Sequence, residues 1–232
     1  VMAYSFRVDV KTNVNNETLV WITDTTNDVP PGVVVMSDTC SSGSSGPFFV
    51  LDVFQEGHHA FSALPYADLS QSVVYLSADS SSSGYNPDSD WVFINDSADC
   101  SRFWPDTWDK SLILHELGHR IAWNIGFCDS TEGGHHSIDS SYSRYLAACD
   151  AWAHFWSAFV LGTSFSVRYC NGFADSAWLD WESGLYGTGN VTDGSFNALG
   201  VCNEGAVAGI LWDLYDSVDD DYSSEADWGE GT

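Results

Sequence analysis

Hydrophobic and polar positions change their period several times along the chain. Residues 4–10 (YSFRVDV) alternate as a half-buried strand does, and 18–23 (TLVWIT) and 32–36 (GVVVM) read as further strands separated by Asn, Asp and Pro. The Ser- and Gly-rich stretch from Cys40 to Pro47 marks a connection between units. Residues 1–46 are therefore expected to form a small β region, either separate or an edge sheet on the main domain. Beyond it, PFFVLDVFQEGHHAFSAL predicts a helix packed on a sheet, SVVYLS (72–77) a strand, ADSSSSGYNPDSD a polar loop, and WVFIN (91–95) a second strand. Next comes an apolar helix around residues 112–123, LILHELGHRIAW. Asp106 is the expected N-cap, Asp109 falls in the first turn, and Gly126 is the expected stop.

Two later stretches are also helical in period: 145–162 (YLAACDAWAHFWSAFVLG) and 203–216 (NEGAVAGILWDLYD), the latter with Val207, Ile210, Leu211 and Leu214 on one face. Between them, 171–200 is rich in Gly, Asp and Ser and reads as a long irregular excursion over a cleft. The fold class expected is α/β (α+β), with residues 47–232 as one main domain. The chain starts at Val1 without a signal peptide and its last helix calls for more structure, so a processed piece of a longer protein is expected.

The chemistry concentrates in the first of these helices. His115 and His119, four apart, project to one side, and Glu116 lies about 100° round the helix at 3.6 residues per turn. HExxH on a helix is a zinc-binding pattern: two imidazoles ligate the metal and the glutamate acts as general base on a water. So apolar a helix accommodates charged groups only if they are partnered. A catalytic zinc takes three protein ligands, and 145–162 offers Asp150 and His154, again four apart. Glu204 is open to three readings: helix-start charge, acceptor orienting a zinc-bound imidazole, or third ligand itself; Asp213 shares the second. The loop 127–149 contributes Glu132, His135, His136, Tyr142 and Tyr145; as a solvated loop these do nothing, and as part of a site His135, His136 or Tyr145 would steady an oxyanion.

Composition narrows the setting. Seven Lys+Arg against 33 Asp+Glu give a net charge of −26, which repels phosphate backbones and makes nucleic acid a poor partner. The acidity fits either a high-salt environment or a secreted acidic coat. Six cysteines without a CxxC pattern suggest up to three disulfides, and Cys128–Cys149 and Cys170–Cys202 would pin the ends of two loops. Sequons at Asn16, Asn95 and Asn190 mark acceptors for glycans and, with the cysteines, suggest an extracellular or cell-surface location. No stretch approaches the 18 apolar residues of a membrane span. The acidic tail after residue 216 is a solvated terminus or a Ca²⁺ binder, without the EF-hand ligand order.

HELGHRIAW, then CDAWAHFWSAF, then NEGAVAGILWDLYD resemble secreted bacterial and archaeal gluzincin-type zinc metallopeptidases over approximately 48–220. In that family a helix reading Glu-Gly-Trp-Ala-x-Phe supplies the third zinc ligand. The resemblance places Asp150 at that position, with Ala151 for Gly and with Trp152 and Phe155 matching; a one-turn shift would select His154 instead. It implies a zincin-like fold, Zn²⁺ held by His115, His119 and Asp150, Glu116 as general base, and a protein or peptide substrate. It also implies an edge strand that receives the substrate backbone, a role near which 91–95 would fall. Aspartate is one methylene shorter than glutamate, so its helix must come closer. Two other classes remain: a catalytically weak zincin-fold structural component with assembly partners outside the cell, and an adhesive or carbohydrate-binding module using some of the eleven Trp.

Overall fold

The computed structural model describes residues 6–12, 18–24, 46–64, 69, 72–77, 82–95, 106–128, 137–168 and 177–216. The expected strand at 32–36, the pair His135 and His136, Glu132, Asn16, Cys170 and the acidic tail lie outside them. The elements run β1 (Phe6–Thr12), β2 (Thr18–Asp24), α1 (Gly46–Ser62), β3 (Ser72–Ser77), β4 (Gly84–Asn86), β5 (Trp91–Asn95), α2 (Lys110–Asn124), α3 (Arg144–Leu161), β6 (Phe165–Arg168), β7 (Ala177–Asp180), β8 (Leu185–Thr188), β9 (Val191–Ser195) and α4 (Glu204–Tyr215). The fold is mixed α/β, with a five-stranded sheet ordered β2-β1-β3-β5-β4 and a four-stranded sheet ordered β6-β7-β8-β9. β1 runs parallel to β3, so the N-terminal strands belong to the same sheet as the strands after α1.

Alternation along β3 and β5 turns Val74, Leu76, Val92 and Ile94 towards the helices. There they meet Val50, Val53 and Phe54 of α1 and Ile113, Leu114, Leu117 and Ile121 of α2, all essentially without solvent contact. A second cluster joins Ala151 and Ala158 of α3 to Trp181, Phe196 and the α4 residues Ala206, Ala208 and Trp212. Helix α3 lies between the two, with Trp156 in the first, and its near-uniform apolarity reflects being covered on both sides.

Three expectations are corrected. Strand β5 is not an edge: Pro87–Asp90 turn the chain so that β4 pairs antiparallel with it, and β4 is the edge. Residues 177–195 are not irregular; Gly184 and Gly189 adopt φ of 65° and 55°, which lets short strands close into a meander. Helix α2 is capped by Asp109, whose carboxylate accepts from the Leu112 N–H at 3.0 Å. Asp106 instead starts a preceding 3₁₀ turn and accepts from the Ser83 hydroxyl. Ser143 and Asn203 cap α3 and α4 through Leu146 and Ala206 N–H groups.

A buried polar chain, unmarked in the sequence, ties α2 to the sheet. Arg120 is wholly buried and donates to both Asp90 carboxylate oxygens at 2.9 and 2.8 Å and to the Ser72 hydroxyl at 2.8 Å. Ser72 in turn lies 2.6 Å from His58 Nε2 on α1. Asp90 reaches the guanidinium from a left-handed backbone (φ 55°), and Tyr85 donates to it. Since Asn tolerates that backbone, Asp90→Asn isolates the charge: it is expected to lower unfolding free energy by about 2 kcal/mol, below the full cost of breaking a buried pair because Asp90 is partly exposed. Chemical denaturation checks this.

Burial, with the Arg120 charge, pushes His58 down to about 4. The unfolded chain takes up the proton first as pH falls below 6.5, so the stability tied to neutral His58 is present above 6.5 and is lost between 6.5 and 4. The loss is on the order of 3 kcal/mol, and His58→Asn should flatten that part of the stability–pH curve.

Candidate metal centre

Helix α2 turns one stripe into the core and leaves His115, Glu116 and His119 towards α3. The two Nε2 atoms lie 3.1 Å apart. Opposite them Asp150, 1% exposed, places Oδ1 at 3.6 Å from His115 Nε2 and 3.1 Å from His119 Nε2. Its other oxygen, Oδ2, lies 3.4 Å from His154 Nε2, and His154 Nε2 is 3.9 Å from Glu204 Oε1. The sequence candidates His115, His119, Asp150, His154 and Glu204 thus converge from three helices. Glu116 is buried beside them, 6% exposed.

This donor set fits a tetrahedral ion. Bonds of about 2.0–2.1 Å at tetrahedral angles put neighbouring ligand atoms roughly 3.3–3.4 Å apart, and the separations of 3.1, 3.1 and 3.6 Å bracket that value. His115, Asp150 and His154 form an overlapping triad whose donor atoms lie within 4.8 Å of one another. In the His115, His119 and Asp150 triad the three separations are 3.1, 3.1 and 3.6 Å.

The approach that a short aspartate demands is made by two small residues. A Cβ on Gly118 would sit 2.9 Å from Ala153 Cα and 3.2 Å from its carbonyl oxygen, so the α2 and α3 backbones touch between the positions of the imidazole pair. A disulfide holds the neighbouring end: Cys128 and Cys149, both buried, join the segment after α2 to the residue before Asp150 with Cα atoms 5.8 Å apart. Cys202 has no disulfide partner among the described residues.

The groups divide their protons unequally. Burial, and then the charge of His154, pushes His115 down to about 3, the neutral form that ligates metals. Burial opposes charge on His119 and His154 too, but the Asp150 carboxylate outweighs it, raising His119 and, with Glu204, taking His154 up to about 9. Asp150 stays well below the usual carboxylate range: burial favours its neutral acid, and the surrounding imidazoles override that.

The site opens on a cleft of about 320 Å³. Its floor carries His115, Glu116, Asp150, His154 and Glu204, and its walls are largely apolar, among them Leu112, Ile138, Leu161, Phe165, Leu179 and Trp181. The small sheet thus forms one wall. Asn203 fixes another, donating through its amide to the carbonyls of Ile138 and Ser140 at 2.6 and 2.8 Å. Tyr145 is not at the cleft; it packs against the Cys128–Cys149 cluster. Tyr142 accepts from the Ser137 N–H. Asp213 is exposed on α4. Sequence reasoning passed over Asn203, Gly118 and Trp181, whose ring lies 4.9 Å from that of His154. Of these, Gly118 carried a signal, a glycine inside a helix that needs no turn.

No family model and no curated protein matches the chain. Among solved structures it is similar to a precursor of protealysin, a metalloproteinase from Serratia proteamaculans, with a TM-score of 0.44 and 12% identity over 69% of this chain. The match spans 45% of that chain, less than half its length.

Gly118→Ala is expected to force the two helices apart and destabilise the fold by about 1–3 kcal/mol, as overpacking does. Gly209→Ala, where a Cβ would meet nothing closer than the Trp181 carbonyl oxygen at 3.1 Å, should cost less. Thermal unfolding of the pair of variants checks the order.

Proposed function

We propose that the chain is a zinc-dependent metallopeptidase that hydrolyses peptide bonds in a protein or peptide substrate. The observation that carries this is the triad of His115, His119 and Asp150 donor atoms at tetrahedral spacing, with buried Glu116 beside it and a mostly apolar cleft in front. His115, His119 and Asp150 would hold Zn²⁺. Bound there, the ion would supply Lewis-acid chemistry, polarising the scissile carbonyl and acidifying a water. Glu116 takes a proton from that water as its oxygen adds to the carbonyl carbon, then delivers it to the amine nitrogen as the C–N bond breaks. The apolar walls exclude solvent and orient the substrate segment.

The setting we propose is extracellular or at the cell surface. The Cys128–Cys149 disulfide supports an oxidising compartment, and Asn190 stands exposed in the turn between β8 and β9. No described helix is long and apolar enough to cross a membrane.

One observation favours a second reading. His154 lies close enough to Asp150 to close the fourth position of the same ion, which would make the centre structural and the protein a non-catalytic extracellular component. Chelator-sensitive cleavage of an unstructured protein such as casein decides between them. On the catalytic reading Glu116→Gln retains zinc and loses at least about 100-fold in kcat, the low end of general-base contributions. Zinc without chelator-sensitive cleavage in the unmodified protein leaves only the structural reading.

A further inference from the structure

Glu204 and His154 are not used by the first ion, yet both stand on the cleft floor. The Asp150 carboxylate faces two ways: Oδ1 towards His115 and His119, Oδ2 towards His154. Beyond His154, Glu204 Oε1 comes within 3.9 Å of the same Nε2. The His154 ring is fixed between the rings of His115 and Trp181, with centroids 4.3 and 4.9 Å away. Glu204 is fixed as the first residue of α4, next to the buried cap Asn203.

We propose that the centre takes two divalent cations, with Asp150 bridging them. The first would lie between His115, His119 and Asp150 Oδ1, and the second between Asp150 Oδ2, His154 and Glu204. This rests on the metallopeptidase reading for the first position only.

Charge supports it. Glu116, Asp150 and Glu204 are 6%, 1% and 3% exposed and line one cleft, whose lining includes no Lys or Arg. One dication offsets two of these carboxylates, and the third is then accompanied by imidazole, His154 Nε2 lying 3.9 Å from Glu204 Oε1. A second dication held by Asp150, His154 and Glu204 would offset the remaining carboxylate and leave one positive charge over, which a hydroxide or a substrate carboxylate would balance. Donor chemistry agrees: one imidazole and two carboxylates suit Zn²⁺ or Mn²⁺. Ions bridged in this manner lie about 3.5–4 Å apart, within the span of one cleft floor.

The test is metal stoichiometry of the folded full chain. Protein is dialysed against micromolar Zn²⁺ with millimolar Mg²⁺ present to saturate surface carboxylates, and bound zinc is counted by elemental analysis. Two ions per chain are expected in the unmodified protein, and one in His154→Asn and in Glu204→Gln, with circular dichroism showing that each variant is folded. In parallel, Mn²⁺-loaded protein should give the broadened paramagnetic resonance of a coupled pair, and the Glu204→Gln protein the six-line spectrum of an isolated ion. One zinc per chain in the unmodified protein, lost in His115→Asn, overturns the second position and leaves the metallopeptidase reading standing. Absence of zinc, or zinc that His115→Asn does not remove, overturns both. Two ions that persist in both His154→Asn and Glu204→Gln overturn the assignment of the second position.

Discussion

The contact on which the site depends is the one between the α2 and α3 backbones at Gly118 and Ala153. A carboxylate on a single methylene reaches an imidazole pair on a neighbouring helix only if the helices nearly touch, and a single methyl group at 118 would hold them apart. The rest of the architecture maintains that contact. The disulfide next to Asp150 closes one end, and apolar packing on both sides of α3 presses the helix into place. Arg120, one residue beyond His119, bolts α2 to Asp90 and Ser72.

The same arrangement explains how so acidic a cluster is held in so apolar a place. Asp150 has imidazoles around it, Glu204 has His154 nearby, and the partly exposed Asp90 has the Arg120 guanidinium. A buried charge with no such partner would neutralise itself or unfold the chain. In a chain carrying −26, Arg120 is fully buried and ties α2 to the sheet through Asp90 and Ser72.

Much of this was legible from local pattern. The strands 72–77 and 91–95 and the helices bearing HELGH and CDAWAH are set by hydrophobic period alone, and the capping and stop residues place their ends to within a turn. The four-residue spacing of His115 with His119 and of Asp150 with His154 put the chemistry on facing sides of two helices. What the sequence did not reveal depends on non-local pairing. That β4 folds back on β5 and takes the edge is decided by a four-residue turn inside a stretch whose composition reads as loop. The meander after Cys170 is built from four- and five-residue strands whose Gly, Asp and Ser content hides their alternation. Arg120 and Asp90 are 30 positions apart, and nothing local marks them as a pair.

On the metallopeptidase reading, two helices in backbone contact would deliver two imidazoles and one aspartate to a single ion. This is tested most directly by an anomalous-difference map, at the zinc edge, of crystals grown with Zn²⁺. A peak within about 2.3 Å of the Nε2 atoms of His115 and His119 and of an Asp150 carboxylate oxygen is the predicted result. A well-ordered site with no peak there, or a peak whose ligands omit Asp150, would contradict it.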